Sequence, residues 1–146
     1  MGFGIFLDHV LSDSFGVASL KGVIHLSGSQ EFFYAPVSYW GRREYIESWR
    51  AAFTTGYARG EHSVLVTSML DPEKANFLTV WVLYYVGSKV YVQNSIVFLD
   101  EVGEKFDVSD PNSYVGPREK IDEDGNEISE WEVSLDDVVS FFEGLS

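Results

Sequence analysis

Two apolar runs, Asn76 to Val86 and Lys89 to Leu99, are separated only by Gly87-Ser88, and this pairing limits the fold more than any other stretch. A two-residue connection with Gly first predicts a type II′ turn, because Gly accepts the positive φ that the first turn position requires. The two runs are then antiparallel neighbours in one sheet. In the first of them Trp81, Leu83 and Tyr85 alternate with Val82, Tyr84 and Val86, so both faces are apolar. A strand of that kind belongs near the centre of a sheet that is covered on both sides. The longest apolar stretch, Leu78 to Val86, contains Thr79 and is far shorter than the roughly twenty residues of a membrane-spanning helix.

The other segments fit around that hairpin. Phe3 to Val10 predicts a first strand and Phe15 to Leu26 a second, with Gly16 and Gly22 as bend or bulge points. Glu31 to Val37 predicts a third, reached through a hairpin loop at Ser27-Gly28-Ser29. From about Gly41, Tyr45, Ile46, Trp49, Ala52 and Phe53 recur at helical spacing, with Glu44 placed as in a capping box. Gly56 and Gly60 are expected to close this helix. Ser63 to Met69 predicts a strand ended by Asp71-Pro72, and Glu101 to Gly116 a long polar excursion of a kind that is usually functional or disordered. Arg118 to Ile121 and Glu127 to Val133 are expected to form a tight hairpin around Asp124-Gly125. Ser134 then caps a last helix whose buried face is Leu135, Val138, Val139, Phe142 and Leu145. The order of elements predicts an α+β fold: a mostly antiparallel sheet with one internal helix and one C-terminal helix packed on it. The length suits a single domain over residues 1–146.

Charge is distributed unevenly along this chain. The net charge is −13, and from Asp100 to Ser146 there are fifteen acidic residues against only Lys105, Arg118 and Lys120. A small domain stays in solution with a net charge of about 2–8, so an excess held in one segment fits two readings equally from charge alone: a surface that attracts a basic partner, or a solvated acidic loop with none. The same charge excludes nucleic acid as that partner, since phosphate contacts need clustered Lys and Arg, and the ten present are spread thin. Aromatic residues make up 16% of the chain. Among them Tyr39-Trp40 and Trp131 are candidate interface anchors, although core packing is the favoured reading of each taken singly, whereas Trp49 and Trp81 lie on apolar faces and are expected to be buried.

Catalytic chemistry finds little footing. With no cysteine there is no thiolate nucleophile and no disulfide framework, as suits a reducing cytoplasm. The N-terminus lacks the basic lead of a signal peptide. His9, His25 and His62 are scattered, without the spacing of metal ligands, and His25 alternates with apolar neighbours as a structural residue would. Asp122-x-Asp124-x-Asn126 imitates the start of a calcium loop, but Glu127 and Val133 stand where Gly and Glu are needed. A hairpin turn accounts for those residues better. No cofactor and no metal site is therefore expected. The alternative from another class is a small hydrolase or isomerase working with carboxylates around an aromatic pocket.

Several motifs carry a resemblance in their order and spacing. Tyr39-Trp40 leads into the helix bearing Tyr45 and Trp49; Thr67-Ser68-Met69 and Asp71-Pro72 follow. Then come Trp81, Tyr84 and the run from Lys89 to Asn94, Pro117-Arg118-Glu119, and the run from Asp124 to Trp131. Across residues 33 to 142 these resemble one family of immunity proteins, the CdiI type, from bacterial contact-dependent growth inhibition systems. The resemblance implies a non-enzymatic antidote held in the cytoplasm. It would bind the C-terminal toxin domain of a CdiA-like effector, and many such toxins are nucleases with basic clefts. Charge and resemblance together make Asp100, Glu101, Glu104, Asp107, Asp110, Asp122, Glu123, Asp124, Glu127 and Glu130 the candidate toxin-binding residues.

Overall fold

The computed structural model describes residues 2–100 and 106–145. Among the described residues, seven strands and two α-helices follow in the order β1 (Phe3–Ser14), β2 (Val17–Leu26), β3 (Ser29–Pro36), α1 (Arg42–Arg59), β4 (His62–Val66), β5 (Phe77–Val86), β6 (Lys89–Phe98), β7 (Glu130–Ser134) and α2 (Leu135–Gly144). A short 3₁₀ turn, Pro111–Tyr114, lies inside the acidic excursion. The α+β class agrees with the sequence, but the strands divide between two antiparallel sheets, β1-β2-β3 and β4-β5-β6-β7. Ser27 Oγ bridges them by donating to the Glu132 carbonyl at 3.1 Å.

The central hairpin is as expected. Ten residue pairs align from Phe77↔Phe98 to Val86↔Lys89, and Gly87 has φ +61 where a type II′ turn needs it. Val80, Trp81, Val82, Leu83 and Tyr84 are all buried: on one face Phe53 and Tyr57 of α1 pack on Tyr85 and Trp131 on Trp81, and on the other the returning segment reaches Tyr84. The helix stripe also holds: Tyr45, Trp49, Ala52 and Phe53 are buried. Tyr45 ties the helix to both flanking segments, donating its hydroxyl to the Pro36 carbonyl (2.6 Å) and accepting the Met69 N–H (2.9 Å). Trp49 Nε1 donates to the Val66 carbonyl at 2.8 Å.

Four local expectations change. β1 runs on to Ser14, and its irregularity falls between Leu7 and Leu11, not at Gly22, which pairs in register with Leu7 and Phe33. The connection after Leu26 is only Ser27-Gly28, since Leu26 pairs with Ser29. Helix α1 does not close at Gly56; it continues to Arg59 and ends at Gly60, whose φ of +67 supplies the left-handed cap. The expected hairpin around Asp124-Gly125 shrinks to the single bridge Ile121↔Glu127, and β7 pairs with β6 instead. That choice follows from burial. β7 on β6 sets Val133 opposite Val90 and Trp131 opposite Val92 over the core, whereas 118–121 would offer mostly charge. α2 begins as predicted, with Ser134 Oγ accepting the Asp137 N–H at 3.1 Å.

Candidate partner-binding surface

The acidic excursion is fastened to the second sheet by particular bonds. Asn112, buried in the 3₁₀ turn, accepts the Val64 N–H through Oδ1 (2.7 Å) and donates Nδ2 to the Ala52 carbonyl (3.0 Å). Its own carbonyl accepts from His62 Nε2 at 2.9 Å. A carbonyl can only accept, so this bond places a proton on Nε2 and leaves Nδ1 of the neutral ring as an acceptor. The Phe106 ring lies 4.5 Å from that of Tyr114, tilted by 39°, and the Tyr114 hydroxyl accepts the Asp107 N–H. Farther along, the Gly116 carbonyl lies 3.4 Å from the Tyr84 hydroxyl.

A second fastening joins this segment to β6 and β7. Arg118 forms a fork with Glu130, Nε to Oε2 at 2.8 Å and Nη2 to Oε1 at 2.6 Å, while its guanidinium lies 3.8 Å over the Tyr91 ring. Gln93 Nε2 donates to Glu130 Oε2 and to the Glu119 carbonyl, both at 2.8 Å. The Arg118 hydrogen bonds hold the Glu130 carboxyl below the usual range, with help from Gln93 and against the opposing effect of burial.

These bonds sort the ten acidic candidates. Glu130 is matched inside the chain by Arg118. Asp107, exposed, accepts from Ser109 Oγ (2.6 Å) and Ser109 N–H (3.0 Å), which lower its pKa, and Asp110 precedes the 3₁₀ turn. Asp122 Oδ1 accepts the N–H groups of Asp124 and Asn126, both at 2.9 Å, so its carboxylate shapes the bridged turn, as the hairpin reading of the calcium-like motif expected. Glu123, Asp124 and Glu127 are exposed around that turn, and Asp100 is exposed just past β6. Glu101 and Glu104 lie outside the described residues. Two groups are thus brought together, Asp107 with Asp110 and Asp122 with Glu123, Asp124 and Glu127.

Among the aromatic candidates, Trp40 is buried with its ring edge-on to Tyr45 at 5.2 Å. Trp131 is half-buried, 5.4 Å from Trp81, and Tyr39 is exposed. Trp49 and Trp81 are buried, as expected. Unforeseen in the sequence is a cleft of about 410 Å³ where the segment returns to the sheet, lined by Glu61, His62, Tyr84, Tyr85, Val86, Val115, Gly116, Pro117 and Arg118. Its only sequence trace is that Tyr84 and Pro117-Arg118 fall among the motifs carrying the family resemblance.

The comparisons with known proteins agree with that resemblance. A family model described as the CdiI N-terminal domain matches residues 35–141. The immunity protein CdiI of Enterobacter cloacae subsp. cloacae is 36% identical over 144 residues, spanning 99% of each chain. A chain in the solved CdiA-CT/CdiI toxin and immunity complex from Enterobacter cloacae has a TM-score of 0.92 and 36% identity, covering 98% of this chain and 97% of that one.

Proposed function

This chain belongs to the CdiI family of immunity proteins, and we propose that it binds and neutralises the C-terminal toxin domain of its cognate CdiA effector, without catalysis of its own. Supporting this reading above all is that the similar solved chain comes from a toxin and immunity complex. Residues 1–146 would work as one immunity domain in the cytoplasm of the cell that makes both proteins. The toxin would be a nuclease: a cleft that holds a phosphate backbone is basic, and exposed Asp107 beside half-buried Asp110, with the exposed acids around residues 122–127, offers that cleft a competing negative surface.

The test is the association rate with the purified cognate toxin domain, measured across a range of salt. Complementary charge lifts association from about 10⁵–10⁶ to as much as about 10⁸–10⁹ M⁻¹s⁻¹ at low salt. The wild-type rate is expected to fall steeply as added salt shortens the field to about 8 Å at physiological ionic strength. Changing Glu123, Asp124 and Glu127 together to Lys is expected to slow association at least about tenfold at low salt and to flatten its salt dependence. Asp122 is left in place because its carboxylate organises the turn. A rate indifferent to both salt and charge reversal would remove these acids from the interface.

A further inference from the structure

The cleft between β4, β5 and residues 115–118 has a chemistry that the acidic turns do not share. We propose that it is a socket for one arginine side chain of the toxin domain, an inference that rests on the immunity reading and assigns part of the interface to residues outside the ten acids. Hydrogen-bond acceptors predominate among its polar groups. Glu61 is exposed and supplies a carboxylate, Gly116 a carbonyl, and His62 an Nδ1 lone pair, since its Nε2–H is taken by Asn112. Arg118 also lines the cleft, but its fork is spent on Glu130. Arg59 and Asn112 line only an adjoining recess of about 190 Å³. The charges of Glu119 and Glu130 act in the same direction on Tyr84: after burial, they are what discourage its hydroxyl from ionising.

The occupant is therefore a donor and a cation, and the walls select which one. Tyr84 and Tyr85 present aromatic surface, and Val86, Val115 and Pro117 present aliphatic surface. A guanidinium stacks on rings and donates in a fixed plane, with an apolar stem behind it, while an ammonium keeps its hydration more strongly. The same chain already holds one guanidinium in this way, Arg118 over Tyr91. Arginine is also a frequent hot-spot residue in interfaces, most of all in desolvated pockets near the centre.

Two substitutions test the socket with little risk to the fold. Glu61→Gln alters an exposed side chain, and Tyr84→Phe keeps the ring and removes the hydroxyl. Against the purified toxin domain, Glu61→Gln is expected to raise the dissociation rate about tenfold, the order of one charge-assisted hydrogen bond, with a much smaller effect on association. Tyr84→Phe is expected to raise it by a smaller factor. A double-mutant cycle of Glu61→Gln against arginine-to-alanine changes on the toxin is expected to single out one coupled arginine. Tight wild-type binding with dissociation unchanged in both variants, or with no coupled arginine, overturns the socket alone. Failure of the wild-type protein to bind the toxin overturns the immunity reading, and the socket with it.

Discussion

Glu130 carries chemistry inside the fold that its charge alone does not announce. In the sequence it is one acid among fifteen in the last third, with nothing to set it apart from the other candidate partner contacts. In the fold its carboxylate is a fixed acceptor for Arg118 and Gln93. Replacing it by Gln leaves the guanidinium short of its charged partner and is expected to cost about 1–3 kcal/mol of stability at neutral pH. The pH dependence follows from the direction of the shift. Because the folded carboxyl titrates below the unfolded one, its contribution is present above the unfolded value of about 4.3 and is lost as pH falls through the lowered folded value. Urea midpoints of wild type and Glu130→Gln, measured from neutral pH down to about 3, are expected to converge at the acid end. A constant gap would mean that the carboxylate's charge is not what the pair uses. Nothing local in the sequence announces this pair, since it forms only when Arg118 and β7 are both laid against β6.

Individual elements were legible where the signal is local. The β5–β6 hairpin declares itself through alternation plus a two-residue turn, and α1 through its apolar stripe, because both depend on neighbours a few positions away. β7 is legible as a strand, but its pairing with β6 is not, since alternation says which face is apolar and not which edge it meets. Gly56 looks like a terminator in the sequence for a similar reason. It lies within α1, where a methyl group would overlap the His62 carbonyl and the Ser63 hydroxyl, so the missing side chain lets the helix approach β4. Ser63 exploits this approach by donating to the Ala52 carbonyl at 2.8 Å and accepting from the Tyr85 hydroxyl. Ala in place of Gly normally favours a helix interior by about 1 kcal/mol. Here Gly56→Ala is expected to destabilise by about 1–3 kcal/mol, as overpacking does, and a rise in the denaturation midpoint would show that the contact is looser than described.

For the whole molecule, the charge of −13 acts on folding and on partner capture with opposite signs. Like charges crowded on one compact chain repel, so added salt relieves the folded state while it weakens attraction to a basic partner. Raising sodium chloride is therefore expected to increase the urea midpoint of the free protein while it slows association with the toxin domain. A midpoint that falls with salt would mean that attractive pairs such as Arg118–Glu130 outweigh the repulsion. The acidic total was plain from composition, yet the cleft beside it was not, because His62, Tyr84 and Gly116 meet only after the excursion folds back. The anchor of that fold-back has a consequence of a different kind. Asn112 covers the outward N–H of Val64 on β4, the first strand of its sheet, as a neighbouring strand otherwise would. A bare sheet border invites strands from other molecules, and here the lid over it is a length of chain with few regular elements. A protease that cut the excursion would therefore release more than a charged loop: it would uncover a template on which copies of this protein could add to one another as fibrous aggregates.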